Sequence, residues 1–113
     1  METVADYIRA SRILLQDTEA GAYRYSDDEL VMALDISLRE ARRLRPDMFK
    51  NGAIPKYSGL PITTETVIPS EYFSAFVYYV TGHAQLRDAE ENQDARSTVF
   101  LNKFVAQLTS FPS

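Results

Sequence analysis

Nine consecutive residues, Tyr72-Phe73-Ser74-Ala75-Phe76-Val77-Tyr78-Tyr79-Val80, constrain this chain more than any other feature. Wound at about 3.6 residues per turn, the run places apolar or aromatic side chains on nearly every side of a helix. Ser70, between Pro69 and Glu71, is a good N-cap for it. Such a helix has to be buried on more than one side, inside its own domain or against a neighbour. Polarity then changes abruptly. Gln85, Arg87, Asp88, Glu90, Glu91, Asn92 and Gln93 form an acidic elbow, after which Asp94 can cap a fourth helix. That helix carries Val99, Phe100, Leu101, Phe104, Val105 and Leu108, and Pro112 marks its end. A short connection between two long apolar faces predicts an antiparallel hairpin.

Two helices are predicted upstream. Val4, Tyr7, Ile8, Leu14 and Leu15 recur at helical spacing, with Arg9, Arg12 and Gln16 on the other side, and Gly21 follows the stop. Ser26 with Glu29 three residues on is a capping box, the strongest local signal in the chain. It opens a helix from Asp27 to Leu44 with Leu30, Leu34, Leu38 and Ala41 on the buried stripe, ended by Pro46. Met32 and Ile36 make a second, smaller apolar spot, suited to local packing or to a partner.

Helix is not expected between Pro46 and Pro69, where four prolines, Asn51-Gly52 and Ser58-Gly59 surround the β-favouring Ile62-Thr63-Thr64-Glu65-Thr66-Val67-Ile68. An ordered loop, with a two-stranded ribbon at most, is expected; connections of this size are often functional. The fold class is therefore all-α: one small four-helix domain over 1–113, ordered helix, helix, long loop 46–69 or short β-ribbon, helix, helix.

Composition excludes several function classes. With no Cys there is no disulfide, thiolate nucleophile or Cys-based metal site. No apolar run reaches the roughly 20 residues of a membrane helix, and Met1-Glu2-Thr3-Val4 has no leader character, so neither secretion nor membrane insertion is expected. A net charge of -4 does not suit general phosphate neutralisation. The basic group Arg39, Arg42, Arg43 and Arg45 sits at a helix C-terminus, where cations suit the dipole.

Catalytic patterns are missing. His83, the only histidine, falls on the apolar face of the third helix and suits packing; alone it makes no zinc site and has no nucleophile partner. Asp27, Asp28 and Glu29 are accounted for by capping, and Glu90, Glu91 and Asp94 by the elbow and the next cap. Neither a calcium loop, a phosphate loop nor a Gly-x-Ser-x-Gly elbow is present. No enzyme, cofactor, metal or small-molecule substrate is expected.

Seven Tyr and six Phe are more than a small core needs. Phe73, Phe76 and Phe104 suit a core, whereas Tyr72, Tyr78 and Tyr79 strain it and point to self-association or a stable partner.

Three stretches resemble the adaptor proteins of the head-to-tail connector in tailed bacteriophages: Tyr25-Ser26-Asp27-Asp28-Glu29-Leu30, then Leu38-Arg39-Glu40-Ala41-Arg42-Arg43-Leu44-Arg45-Pro46-Asp47, then Pro69 to Val80. The elbow leading into Asp94-Ala95-Arg96 completes the likeness. The resemblance implies a structural virion protein of the neck, made in the host cytoplasm. About twelve copies would form a ring beneath the portal protein, extend the DNA channel and dock tail or nozzle proteins. Genomic DNA would pass without specific binding, which net acidity suits. Implied surfaces are Tyr72, Tyr78, Tyr79, Tyr57 and Leu60 for subunit contacts, and Phe104, Leu108 and Phe111 for the portal; the long docking tail of such adaptors is not in this sequence.

Two other readings compete. A small DNA-binding helical regulator would use the Arg39 to Arg45 end, but the turn between the first two helices is too long for a helix-turn-helix. A different helical protein-interaction module is the other.

Overall fold

The computed structural model describes residues 2–49, 53–86 and 91–110. It is all-α: α1 (Val4–Leu15), α2 (Asp27–Leu44), α3 (Phe73–Leu86) and α4 (Glu91–Ser110), with short 3-10 turns at Pro46–Met48 and Ser70–Tyr72.

Local chemistry sets most boundaries. Thr3 and Asp6 cap α1 reciprocally: the Asp6 amide donates to Thr3 Oγ1 at 3.3 Å and the Thr3 amide to Asp6 Oδ2 at 2.9 Å. Gln16 ends the helix in the left-handed region at φ 56°, its N–H turned back onto Arg12 and Ile13 carbonyls. For α2 the expected box is present, with Glu29 N–H to Ser26 Oγ at 3.1 Å and Ser26 N–H to Glu29 Oε1 at 3.3 Å. Pro46 stops α2 as expected, Arg45 taking φ -140°.

Two starts differ from the sequence expectation. Ser70 opens a 3-10 turn with Pro69 before it and no side-chain cap; the tight turn buries Tyr72 before α3 begins at Phe73. Asp94 is not an N-cap, because α4 has already begun at Glu91. Asn51-Gly52, the elbow residues 87–90 and Pro112 lie outside the described residues.

The helix that is apolar all round lies at the centre. α3 packs against α1, α2 and α4, so its own domain covers most of its circumference. Ala75, Phe76, Val77, Val80, Thr81, Gly82, Ala84 and Gln85 are buried, and only Ser74 and Leu86 are exposed. Phe76 meets Phe104 edge-on with centroids 5.4 Å apart, while nearer the elbow Gly82 faces Ser97 and Phe100. These pairings run in opposite directions along the two helices, which makes α3 and α4 antiparallel. At Gly82 they approach closely: a Cβ there would stand 3.0 Å from the Ser97 carbonyl oxygen.

No strand forms among the described residues of the connection, only a single antiparallel bridge between Thr3 and Glu65. The β-favouring segment lies instead across the start of α1. Val4 N–H donates to Thr64 O at 3.0 Å, Ala5 N–H to Ile62 O at 2.8 Å, and Thr66 N–H to Glu2 O at 2.9 Å. Helix-terminal amides without partners in their own helix thus take loop carbonyls, and Pro61 and Pro69 close off a longer ladder. On α2, Asp35 holds the other half of the loop. Its carboxylate accepts Tyr57 N–H at 2.7 Å, Ser58 N–H at 3.1 Å and the Ser58 hydroxyl.

Candidate functional site

Among the described residues, charged side chains cluster at the α1–α2 connection and at the end of α2, and both clusters serve the fold. Arg12, expected on the solvent side of α1, is 5% exposed. Its guanidinium reaches Asp17 Oδ2 and Asp27 Oδ1, each at 2.8 Å, with the Tyr23 ring 3.6 Å from its carbon. Asp17 also accepts the amides of Arg24 at 2.8 Å and Tyr25 at 3.1 Å. A charge this buried persists only with such partners, and here they fix the α1–α2 connection. Asp27 is therefore an ion-pair partner as well as a helix-start residue. The one sequence clue was Asp17 placed just past the end of α1, five residues from Arg12.

The basic end of α2 is divided. Arg45 forms a two-toothed pair with Asp47 at 2.9 and 2.8 Å and donates to Leu108 O of α4 at 2.7 Å. Asp47 in turn holds the Arg45 pKa above its ordinary value, and Arg45 holds the Asp47 carboxyl below its own. Arg43 pairs with Glu40 at 2.8 Å, one turn back. Arg39 and Arg42 are exposed. A continuous phosphate-binding row is not what this end presents.

His83 is half-buried and stacks on Tyr79, centroids 5.9 Å apart. Burial pulls its pKa below the ordinary value, keeping the imidazole neutral at pH 7. Among the described residues no group of three His, Cys, Asp or Glu could hold a metal, and no helix is long and apolar enough to cross a membrane.

The residues expected to form contact surfaces scatter. Tyr57 and Tyr72 are interior, and so are Phe104 and Leu108, at 1% and 0% exposure. These four do not offer a surface in this fold, because α3 and α4 close over them and the loop tucks Tyr57 inward. The Tyr57 hydroxyl accepts Val67 N–H at 2.9 Å, a further tie within the loop. Tyr78 and Tyr79 are half-buried: Tyr78 stacks on Phe100 at 5.8 Å, and Tyr79 meets Phe104 edge-on at 4.8 Å. Leu60 is exposed as expected. Phe111 lies outside the described residues.

Among the described residues, exposed apolar side chains border hollows on two faces, while Val67, Val99 and Val105 are exposed away from them. On one, Ile13 of α1, 61% exposed, is a ridge between two open hollows. The first, about 330 Å³, runs past Ile8, Tyr23 and Ile62; the second, about 260 Å³, lies between α1 and α3 against Leu14, Val77 and Tyr78. On the other, Met32 of α2, 59% exposed, borders a hollow of about 350 Å³ shared with Ala84 and Leu86 of α3. Half of the small apolar spot predicted on α2 is thus exposed, since Ile36 is half-buried. Ile13 escaped sequence reading because it stands off the main stripe of α1. Exposed apolar side chains grouped around hollows are more informative than scattered ones.

Comparison of the chain with protein-family models, with curated proteins and with solved structures gave no match.

Proposed function

We propose that this chain is a structural ring subunit, an adaptor of the head-to-tail connector of tailed bacteriophages, located in the virion neck beneath the portal protein. It works mechanically, lengthening the channel for the genome and offering a docking surface to tail or nozzle proteins. Support comes from the sequence resemblance and from one structural observation, the presence of two different apolar faces, around Ile13 and around Met32. A ring of identical subunits closes through heterologous contacts, which need two distinct surfaces on every copy. The acidic net charge of -4 accords with a channel wall that lets a duplex slide.

Imaging of the purified chain mixed with a phage portal complex tests this. Rings stacked coaxially on the portal are expected. Absence of binding to the portal, together with a salt-dependent shift of duplex DNA in a gel, would replace this reading by a DNA-binding one.

A further inference from the structure

The two apolar faces differ in position and in charge. Ser74 borders the α1–α3 hollow and His83 the Met32 hollow. Nine residues apart on α3, they stand roughly 180° apart around a helix that advances about 100° per residue. The faces therefore look in nearly opposite directions, which a two-fold pair using a single patch does not require.

Cations edge the first face. The Lys103 ammonium lies 5.1 Å from the centroid of the Tyr78 ring, Arg96 donates to Leu14 O at 3.0 Å, and Arg9, paired with Asp6, flanks Ile13; the carboxylate of Asp27 also lines the hollow beside Ile13, where it is paired with Arg12. Carboxylates edge the second. Glu29 lines the Met32 hollow, and Asp28 lines a neighbouring hollow that Met32 also borders. Arg39 and Lys56 lie on the far side of Met32, in a third hollow with Asp35. An exposed, flexible methionine beside acids thus has its complement in an apolar hollow beside cations, both on the same chain.

We infer that Met32 of one copy seats in the hollow between Ile13 and Tyr78 of the next, so that copies join head to tail through two unlike faces. The occupant, a second copy, rests on the ring-subunit reading; the pairing rests on the two faces. Asp28 and Glu29 of the first copy then approach Lys103 and Arg96 of the second.

The chain has no cysteine, so pairs can be placed at will. The double variant Met32→Cys/Ile13→Cys, treated with a short bismaleimide, is expected to give a ladder of dimers, trimers and longer products on a denaturing gel. Each single-cysteine variant is expected to stay monomeric. Asp28→Lys in the double variant is expected to cut the trimer yield roughly threefold or more, and Lys103→Glu added to it to restore the yield. A missing ladder, dimers from either single variant, or no rescue by Lys103→Glu would overturn the pairing. Portal imaging separates the two ideas: rings without a ladder leave the ring reading standing and remove this contact, and a ladder without portal binding does the reverse.

Discussion

The carboxylate of Asp35, in the middle of α2, accepts the backbone N–H of Tyr57 at 2.7 Å across 22 residues of sequence. With both Ser58 donors on the same side chain, this buried acid anchors a loop that has no strand among its described residues. Asp35→Ala leaves buried donors unsatisfied and is expected to cost about 3 kcal/mol. Urea unfolding gives the loss, and amide exchange at Tyr57 and Ser58 should accelerate well beyond that of α2. Unchanged exchange there would mean the loop is held by its apolar contacts alone.

Arg12 predicts a larger effect. Replacement by Ala strands Asp17 at 4% exposure and removes the stacking under Tyr23. A loss of about 3–5 kcal/mol is expected, as for other broken buried pairs. The double variant Arg12→Met/Asp17→Asn should recover part of it, since the one carboxylate left without its partner, Asp27, is half-exposed to water. A double-mutant cycle in urea measures the coupling, and a coupling near zero would remove the pair from the account.

Gly82→Ala sets two terms against each other. Alanine favours a helix by about 1 kcal/mol over glycine. Its Cβ, however, would meet a backbone carbonyl at 3.0 Å and Leu101 Cγ and Phe100 Cβ at 3.1 Å. The carbonyl cannot step aside without moving α4, so a net loss of about 1–2 kcal/mol is expected. Thermal unfolding of the single variant decides the sign.

His83 makes stability depend on pH. Its pKa in the folded chain lies below the ordinary 6.5, so the unfolded chain binds the proton more readily. Stability from this group is therefore complete above about pH 6.5, falls as pH drops below that value, and levels off below the folded pKa. His83→Gln should flatten the unfolding temperature between pH 7.5 and pH 5.5, in roughly the window of a histidine titration. The lowered Asp6 and Asp47 carboxyls act lower, their contribution disappearing as pH falls through their folded values beneath 3.8. A pH profile identical in wild type and variant would exclude the imidazole as its source.

Most local signals were legible in the sequence, the caps expected at Ser70 and Asp94 excepted, and long-range ones were not. The Ser26 box, the Pro46 stop and the bounds of α1 depend on neighbours within one turn, so spacing alone places them. Arg12 reads as an ordinary helix polar and Asp35 carries no local signal, because their partners come from segments whose position the sequence does not state. Tyr72 shows the same limit from the apolar side. A helix without a polar face needs covering, but whether α1, α2 and α4 or a neighbour covers it depends on tertiary packing. The Ile62 to Ile68 stretch has strand propensity, yet propensity cannot form a ladder without a partner strand. Of the candidate surface, the sequence pointed to Met32 and Leu60 and missed Ile13.

The carbonyls of Ile62 and Thr64 that receive the first amides of α1 also bear on the order of events during synthesis. Glu2 and Thr66 meet across 64 positions of chain, so α1, made before the other three helices, is among the last of them to find its seat. Until the segment after Pro61 emerges, the apolar side of α1 has neither the α3 core nor those acceptors. Nascent chains stalled before Thr64 should therefore expose α1 to protease, and chains stalled well past Ser110 should protect it. Equal protection at both lengths would show that α1 docks on α2 alone. Helix α1 is in this sense the closing piece of the domain, although it is made before the other three.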